Sequence, residues 1–433
     1  MAACARSRAK LTVGVAAVAL AAAGLAACGS SGSSASGNSS AKLGSGGSTQ
    51  LTEEDYFTAQ PANGLWNGVF GDYAKANHIS ISRTSIAPDT YLTKVLEQAG
   101  SGGAPNILML DNPDLAELAS TGDLVPLSSV CSINTANIDS AELQEATYNG
   151  KLYALPLIQA SIELFYNKQM LSAAGVTPPQ TWSELITDAK KLTNNQHTGI
   201  AFAGQPTNGN AAWQFEPFLW SNGGSLTNLG ATPAVQALTL WTDLVKDGSA
   251  SKDTTNWDQT TIASEFASGK VAMMINGPWE IPTLNTVSGL QYGTSGIPTR
   301  VQGQTVIAPI GGEVWAITKS TPAKEKAACK VLQYMETDAV VEKDALTNWE
   351  VPVVKSAVPT VEAKQGSKMD IFYTEALHGQ ARTKSLGSDS LASKYPTVDT
   401  DTGQAIDTAL SGAQSPQAAF TGAASTIKGY LGG

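Results

Sequence analysis

The chain has 433 residues, 42% of them apolar and only 15% charged, against about 25% charged in an average soluble domain, a balance that argues for a folded protein and against disorder. Twenty-seven Lys and Arg stand against 37 Asp and Glu, a formal charge of −10. A surface that acidic repels phosphate backbones and anionic head groups, so nucleic acid is not an expected partner.

Arg6, Arg8 and Lys10 precede an apolar stretch from Leu11 to Cys28 made largely of Ala, Val and Leu. Charge and length make it a secretion signal over 1–27; it sits at the margin of spanning length and is rich in small residues, with a retained helix or a simple secreted protein as the alternatives. Its end, Leu25-Ala26-Ala27-Cys28, resembles a bacterial lipobox. That resemblance implies that the Cys28 thiol carries diacylglycerol and that the leader is cut before it. Residues 28–50 are nearly all Gly, Ser and small polar side chains, too poor in apolar surface to fold, and read as a flexible tether. The folded part is then expected on the extracytoplasmic face of the cell membrane, held there by lipid. Cutting the leader leaves 406 residues with 24 Lys and Arg against 37 Asp and Glu, a length that suits two lobes better than one core.

Further along, Asn106 to Leu110 reads as a short buried strand. Asn112-Pro113-Asp114 places a capping amide before Pro, with Leu115, Leu118 and Ala119 on one helical face until Gly122. Thr181-Trp182-Ser183-Glu184 is a capping box opening a stripe of Trp182, Leu185, Ile186, Ala189 and Leu192. Thr232-Pro233 opens a helix through Leu238, Trp241, Leu244 and Val245, stopped at Gly248, and Thr321-Pro322 opens another through Ala328, Val331, Leu332 and Met335. Val271 to Ile275 and Val314 to Thr318 are the intervening strands. Helices alternating with short buried strands indicate an α/β architecture. Cys131 and Cys329 are the two thiols left after leader and lipid; one disulfide and two free thiols both fit an exported chain.

The usual catalytic constellations are missing. His78, His197 and His378 form no HExxH or close pair, no CxxC occurs, and neither a phosphate-cradling glycine loop nor a GxSxG elbow is present. No enzyme activity, metal or cofactor is expected. Nine Trp are present instead. Trp182 and Trp241 lie on helix stripes and read as core. Trp279 lies in Asn276-Gly277-Pro278-Trp279-Glu280, a turn-rich loop just after a strand, where a ring can present its flat face to a ligand while amide and carboxylate neighbours meet hydroxyls. A structural plug over the loop is the alternative.

Four segments together carry a resemblance. GKVAMMI at 269–275 followed by NGPW at 276–279, the stretch from Ala154 to Leu192 with YNK at 166–168 and TWSEL at 181–185, the stretch GGEVWAITKS at 311–320 with the helix after it, and WEVPVVKSA at 349–357 are similar, in order, to the signatures of family 1 extracellular solute-binding proteins, the receptors of carbohydrate ABC importers. The resemblance implies a two-lobed α/β fold of the periplasmic-binding-protein type (type II), with the ligand in a cleft between lobes. It places crossing segments near 154–158, 292–298 and 348–352, an N-terminal lobe at 51–156 plus 298–348, and a C-terminal lobe at 157–297 plus 349–433. Cys131 and Cys329 then share the first lobe.

Carried over residue by residue, the resemblance makes Trp279 the sugar-stacking ring and Trp213 a second aromatic contact. It makes Asp111, Asn112 and Glu313 polar cleft residues; capping by Asn112 and a strand-edge role for Glu313 stay open. Gln60 and Asn63 in the first loop, Gln159 after the first crossing, Trp349 and Arg382 complete the expected set. Ala160 stands where the family's maltose-binding member has an acidic sugar contact, which argues against maltose as the ligand. The expected function is capture of a mono- or oligosaccharide for an ABC permease by a monomeric receptor; a secreted glycoside hydrolase or a receptor for a non-sugar solute are the alternatives.

Overall fold

The structure, a computed structural model, describes residues 49–207 and 210–432; the leader, Cys28 and most of the tether lie outside the described residues. Two sheets are built, in chain order, from β1 (Gln50–Asp55), β2 (Ser80–Ser85), β3 (Ile107–Asp111), β4 (Ala154–Pro156), β5 (Glu163–Asn167), β6 (Thr198–Ala201), β7 (Val271–Asn276), β8 (Tyr292–Ser295) and β9 (Glu313–Ile317). The first sheet runs β2-β1-β3-β9-β4, with β1 parallel to β2 and β3, and β9 antiparallel to β3 and β4. The second runs β8-β5-β7-β6, with β7 parallel to β6 and antiparallel to β5. The first strand begins at Gln50, inside the expected tether, because Gln50 pairs in register with Ser80.

Each sheet is covered on both faces, and the period-two alternation of its strands decides which residues go where. Ile107 and Met109 enter the core built on Trp66, Phe70 and Trp315, while Leu108 and Leu110 enter the opposite core with Tyr91 and Leu115. In the second sheet Met273 and Ile275 join Phe202, Phe215, Trp241 and Phe420, and Met274 joins Phe165 and Phe372 on the other side. All six residues of β7 are buried, which is why its first five, Val271 to Ile275, read as an unbroken apolar run.

The caps follow the sequence in part. Glu184 N donates to Thr181 Oγ1 at 3.2 Å and Thr181 N to Glu184 Oε2 at 3.0 Å, completing the capping box of the helix Trp182–Leu192. Thr321 caps the helix Pro322–Met335. Thr232 does not cap; it is the first residue of its own helix, Thr232–Lys246, with Ala231 before it. Asn112 does not cap Asp114–Thr121 either, because its side chain is engaged by Arg382.

The lobe boundaries expected from sequence need correction at two places. Tyr292–Ser295 is a strand of the second sheet, so the chain returns to the first sheet only between Ser295 and Glu313. Residues 299–308 stay with the second half, where Thr299 bridges Thr181 and Val306 and Ala308 are core. Conversely Val353, Val354, Ala357 and Val361 are buried in the core of the first half. Apolar side chains there follow the nearest core rather than the crossing point. The stretches Ile158–Gln159 and Val351–Pro352 pair antiparallel between the two sheets. Cys131 and Cys329 are joined by a disulfide, which ties the turn after Leu127–Ser129 to the helix Pro322–Met335.

Candidate functional site

Three strand ends converge at one edge of the first sheet. β1 and β3 are parallel and finish there, at Asp55 and Asp111, and β9 runs the other way and so begins there, at Glu313. The register sets Glu313 directly opposite Asp111, bringing two carboxylates side by side. Tyr56, the residue after β1, donates its hydroxyl to Glu313 Oε1 at 2.9 Å. The carboxyl ends of parallel strands are where open α/β sheets hold ligands.

The facing wall comes from the helix Asn210–Ser221 and a C-terminal segment. The Arg382 guanidinium lies 4.2 Å above the Trp213 ring. Its Nε donates to the Ile310 carbonyl at 3.1 Å, and its Nη2 to Asn112 Oδ1 at 2.6 Å and to Asp111 Oδ1. Gly311 makes room for this wall, since a Cβ there would stand 2.1 Å from the Trp213 ring. Gly312 has φ +143, and a Cβ on it would meet the Ile158 carbonyl at 2.7 Å. The glycine pair before Glu313 is thus required by two close approaches. Ala160 exchanges backbone hydrogen bonds with Gly311 at 2.7 and 2.8 Å, so the position expected to differ from the maltose-binding pattern is held by its main chain.

The structure therefore brings together Asp111, Asn112, Glu313, Trp213 and Arg382, with Gln159 buried beside Gly312. Trp213 is only 6% exposed, and one of its faces is covered by Arg382. Trp349 is a left-handed residue (φ 59) ending the helix Asp338–Asn348, half-buried against the core of Val351 and Phe372. Trp279 sits in the turn Pro278–Glu280 after β7, half-buried against the second half's core, its ring folded over Gly277. Gln60 and Asn63 shape their own loop. Asn63 accepts from Arg83 at 2.7 Å and from Asn67 at 2.9 Å and donates to the Thr58 carbonyl, and Gln60 accepts from Gly64 N. Sequence reasoning passed over Tyr56, for which an aromatic directly after an acidic strand end was the signal.

Burial dominates the electrostatics of the cleft. It pushes the Glu313 carboxyl up to about 7, with Asp111 adding to the shift and the Tyr56 hydroxyl opposing it. Burial and then Glu313 likewise raise Glu350 and Asp344; burial, against the pull of Arg382, raises Asp399 to about 7. Burial works against the charge of Arg382, but the Asp111 carboxylate beside it more than offsets this and holds its proton more tightly than usual. Among the described residues no three His, Cys, Asp or Glu side chains are grouped to hold a metal ion.

A carboxyl whose folded pKa is raised binds more protons folded than unfolded between its two pKa values, so stability falls as pH rises through that window. For Glu313 and Asp399 the window runs from the ordinary carboxylate range, about 4, to about 7. The melting temperature should be several degrees higher at pH 5 than at pH 8, and Glu313→Gln should narrow the difference. A melting temperature that rises from pH 5 to pH 8 contradicts this account of the cleft.

A family profile described as "Bacterial extracellular solute-binding protein" matches residues 69–370. The maltodextrin-binding protein MdxE of Bacillus subtilis is 28% identical over 262 residues, 55% of this chain and 58% of that protein. A maltooligosaccharide ABC transporter solute-binding lipoprotein of Streptococcus pneumoniae is 24% identical over 297 residues, 64% of this chain and 67% of its own length. Among solved structures, an ABC transporter solute-binding protein of Thermotoga lettingae bound with alpha-D-tagatose superposes with a TM-score of 0.79 at 24% identity, covering 89% of this chain and all of the other. The two-sheet architecture is thus that of two-lobed solute receptors.

Proposed function

The chain belongs to the bacterial extracellular solute-binding protein family, and on that premise we propose that it captures a mono- or oligosaccharide between its two halves and delivers it to the membrane-spanning subunits of an ABC importer. The observation that carries the reading is the pairing of Asp111 and Glu313 at the carboxyl edge of the first sheet, facing a wall that holds Trp213 and Arg382. A sugar presents hydroxyls around its rim and C–H patches on its faces. Carboxylate and amide acceptors answer the first (Asp111, Glu313, Gln159), and the half-buried rings of Trp279 and Trp349 answer the second. The sugars in the names of the relatives, maltodextrin, maltooligosaccharide and tagatose, support the ligand class. Chain length and linkage are set by hydroxyl positions. The role is binding and not catalysis.

The experiment is a calorimetric screen of labelled mono- and oligosaccharides against the purified protein. Saturable binding with the sugar recovered intact is the expected result. Recovery of shortened sugar would turn the reading to a hydrolase, and a screen in which only non-sugar solutes bind would end the carbohydrate assignment. The anchor belongs to the same proposal: Cys28→Ala should move nearly all of the protein from the membrane fraction to the medium, and unchanged fractionation would remove the lipid from the account.

A further inference from the structure

Arg382 stands at a junction between the two halves. It lies between the short strand Gln380–Ala381 and the turn Thr383–Leu386, and that strand pairs with Pro309–Ile310. On one side its Nη2 donates to Asp111 and Asn112, at the end of β3 in the first sheet. On the other its guanidinium rests 4.2 Å over Trp213 and 6.0 Å from the Tyr395 ring, both part of the core built on the second sheet. The next residues repeat the pattern. Thr383 donates through N and Oγ1 to Glu145 of the helix Ser140–Glu145, and Leu386 is buried in the second core.

The exposures of the pair are unequal. The Arg382 side chain is 6% exposed and that of Asp111 35%, so the guanidinium is the buried support and the carboxylate the part that faces outward. A planar fork satisfies two acceptors while lying flat on an aromatic face, which an ammonium does not do as well. Removing one partner of such a pair leaves a buried charge uncompensated.

We propose that Arg382 is a positioning residue that clasps the two halves before any ligand enters. Standing on Trp213, it holds the Asp111–Asn112 corner against the opposite wall and so sets both the resting width of the cleft and the direction of the Asp111 carboxylate. Trp213 serves the site through Arg382 rather than by lying against the sugar. Two-lobed receptors move by hinge rotation, and a cross-cleft clasp biases that rotation toward closure.

The test measures the separation of the halves directly. Spin labels on bioorthogonal residues placed at the exposed positions Glu97 and Gln404 report the distance between halves by pulsed resonance on the full-length, unliganded protein. Arg382→Met and Asp111→Asn should each shift the distribution to longer and broader distances. The double variant should go no further than Arg382→Met alone, since the contact that Asp111→Asn weakens is already gone once the guanidinium is removed. Arg382→Lys, which keeps charge but not the fork, should fall between wild type and Arg382→Met, a graded rescue that a filler of space would not give. Distributions of Arg382→Met and Asp111→Asn that superpose on wild type would overturn the proposal. If Arg382→Met does not fold, Asp111→Asn decides alone, because Arg382 keeps its bond to Asn112. The measurement uses no sugar, so its failure leaves the carbohydrate reading standing and failure of the sugar screen leaves the clasp standing.

Discussion

Replacing Arg83 by Met should lower stability by about 3–5 kcal/mol, the scale for stripping one partner from a buried ion pair. The Arg83 side chain is 6% exposed, and the carboxylates it meets, Asp55 at 2.5 Å and Glu53 at 3.6 Å, are wholly buried. Its guanidinium also donates to Asn63 Oδ1, Asn67 Oδ1 and the Phe57 carbonyl, fastening the loop that leads from β1 and Tyr56 into the following helix. Without it two anions face each other in the first core; the Glu53 carboxyl is already raised by burial and then by Asp55. Protonation relieves that repulsion, so the loss should be smaller at pH 5 than at pH 8. Denaturant titrations of both proteins at the two pH values check this, and a difference below about 1 kcal/mol at pH 8 would mean that Arg83 is no more than a surface residue of this loop.

Trp279→Ala should weaken sugar binding by about 1.5–3 kcal/mol, the scale of a large apolar side chain removed from contact, which is at least tenfold in affinity. Trp279→Phe should retain part of the binding, because a smaller flat face remains. The ring is half-buried, folded over Gly277 and resting on the second core, so its removal leaves some of that core uncovered and a modest fall in melting temperature accompanies the affinity loss. If the ring is a plug instead, the order inverts: the cavity costs several kcal/mol of stability while the folded fraction binds as before. Calorimetry and thermal melts on the same two variants separate the cases.

The local elements were legible because they rest on neighbours in sequence. The box of Thr181 and Glu184 spans three positions, and the alternation along Ile107–Asp111 assigns each residue to a face without knowledge of what covers it. The glycines at 311 and 312 were legible as a motif but not as a mechanism, since the ring and the carbonyl that exclude a Cβ come from Trp213 and Ile158. The lobe boundaries failed where side chains such as Val306 and Val354 joined the core on the far side of a crossing.

The sequence by itself determined the α/β class and several of its strands and helices, because periodicity and capping are properties of short segments, and the family resemblance carried by its motifs supplied the two-lobed plan and a set of polar and aromatic residues expected to meet a sugar. Only the tertiary structure decided what those residues do. Asn112 carries the chemistry of a cap, yet its oxygen goes to Arg382, 270 residues away; the partner of Asn63 is Arg83, twenty positions on; and the ring of Trp213 carries the Arg382 guanidinium. A hydrogen-bonding side chain or a ring face serves whichever partner the fold brings within about 3–4 Å, and among groups so far apart in the chain that partner is chosen by the packing of two cores, which no local pattern encodes.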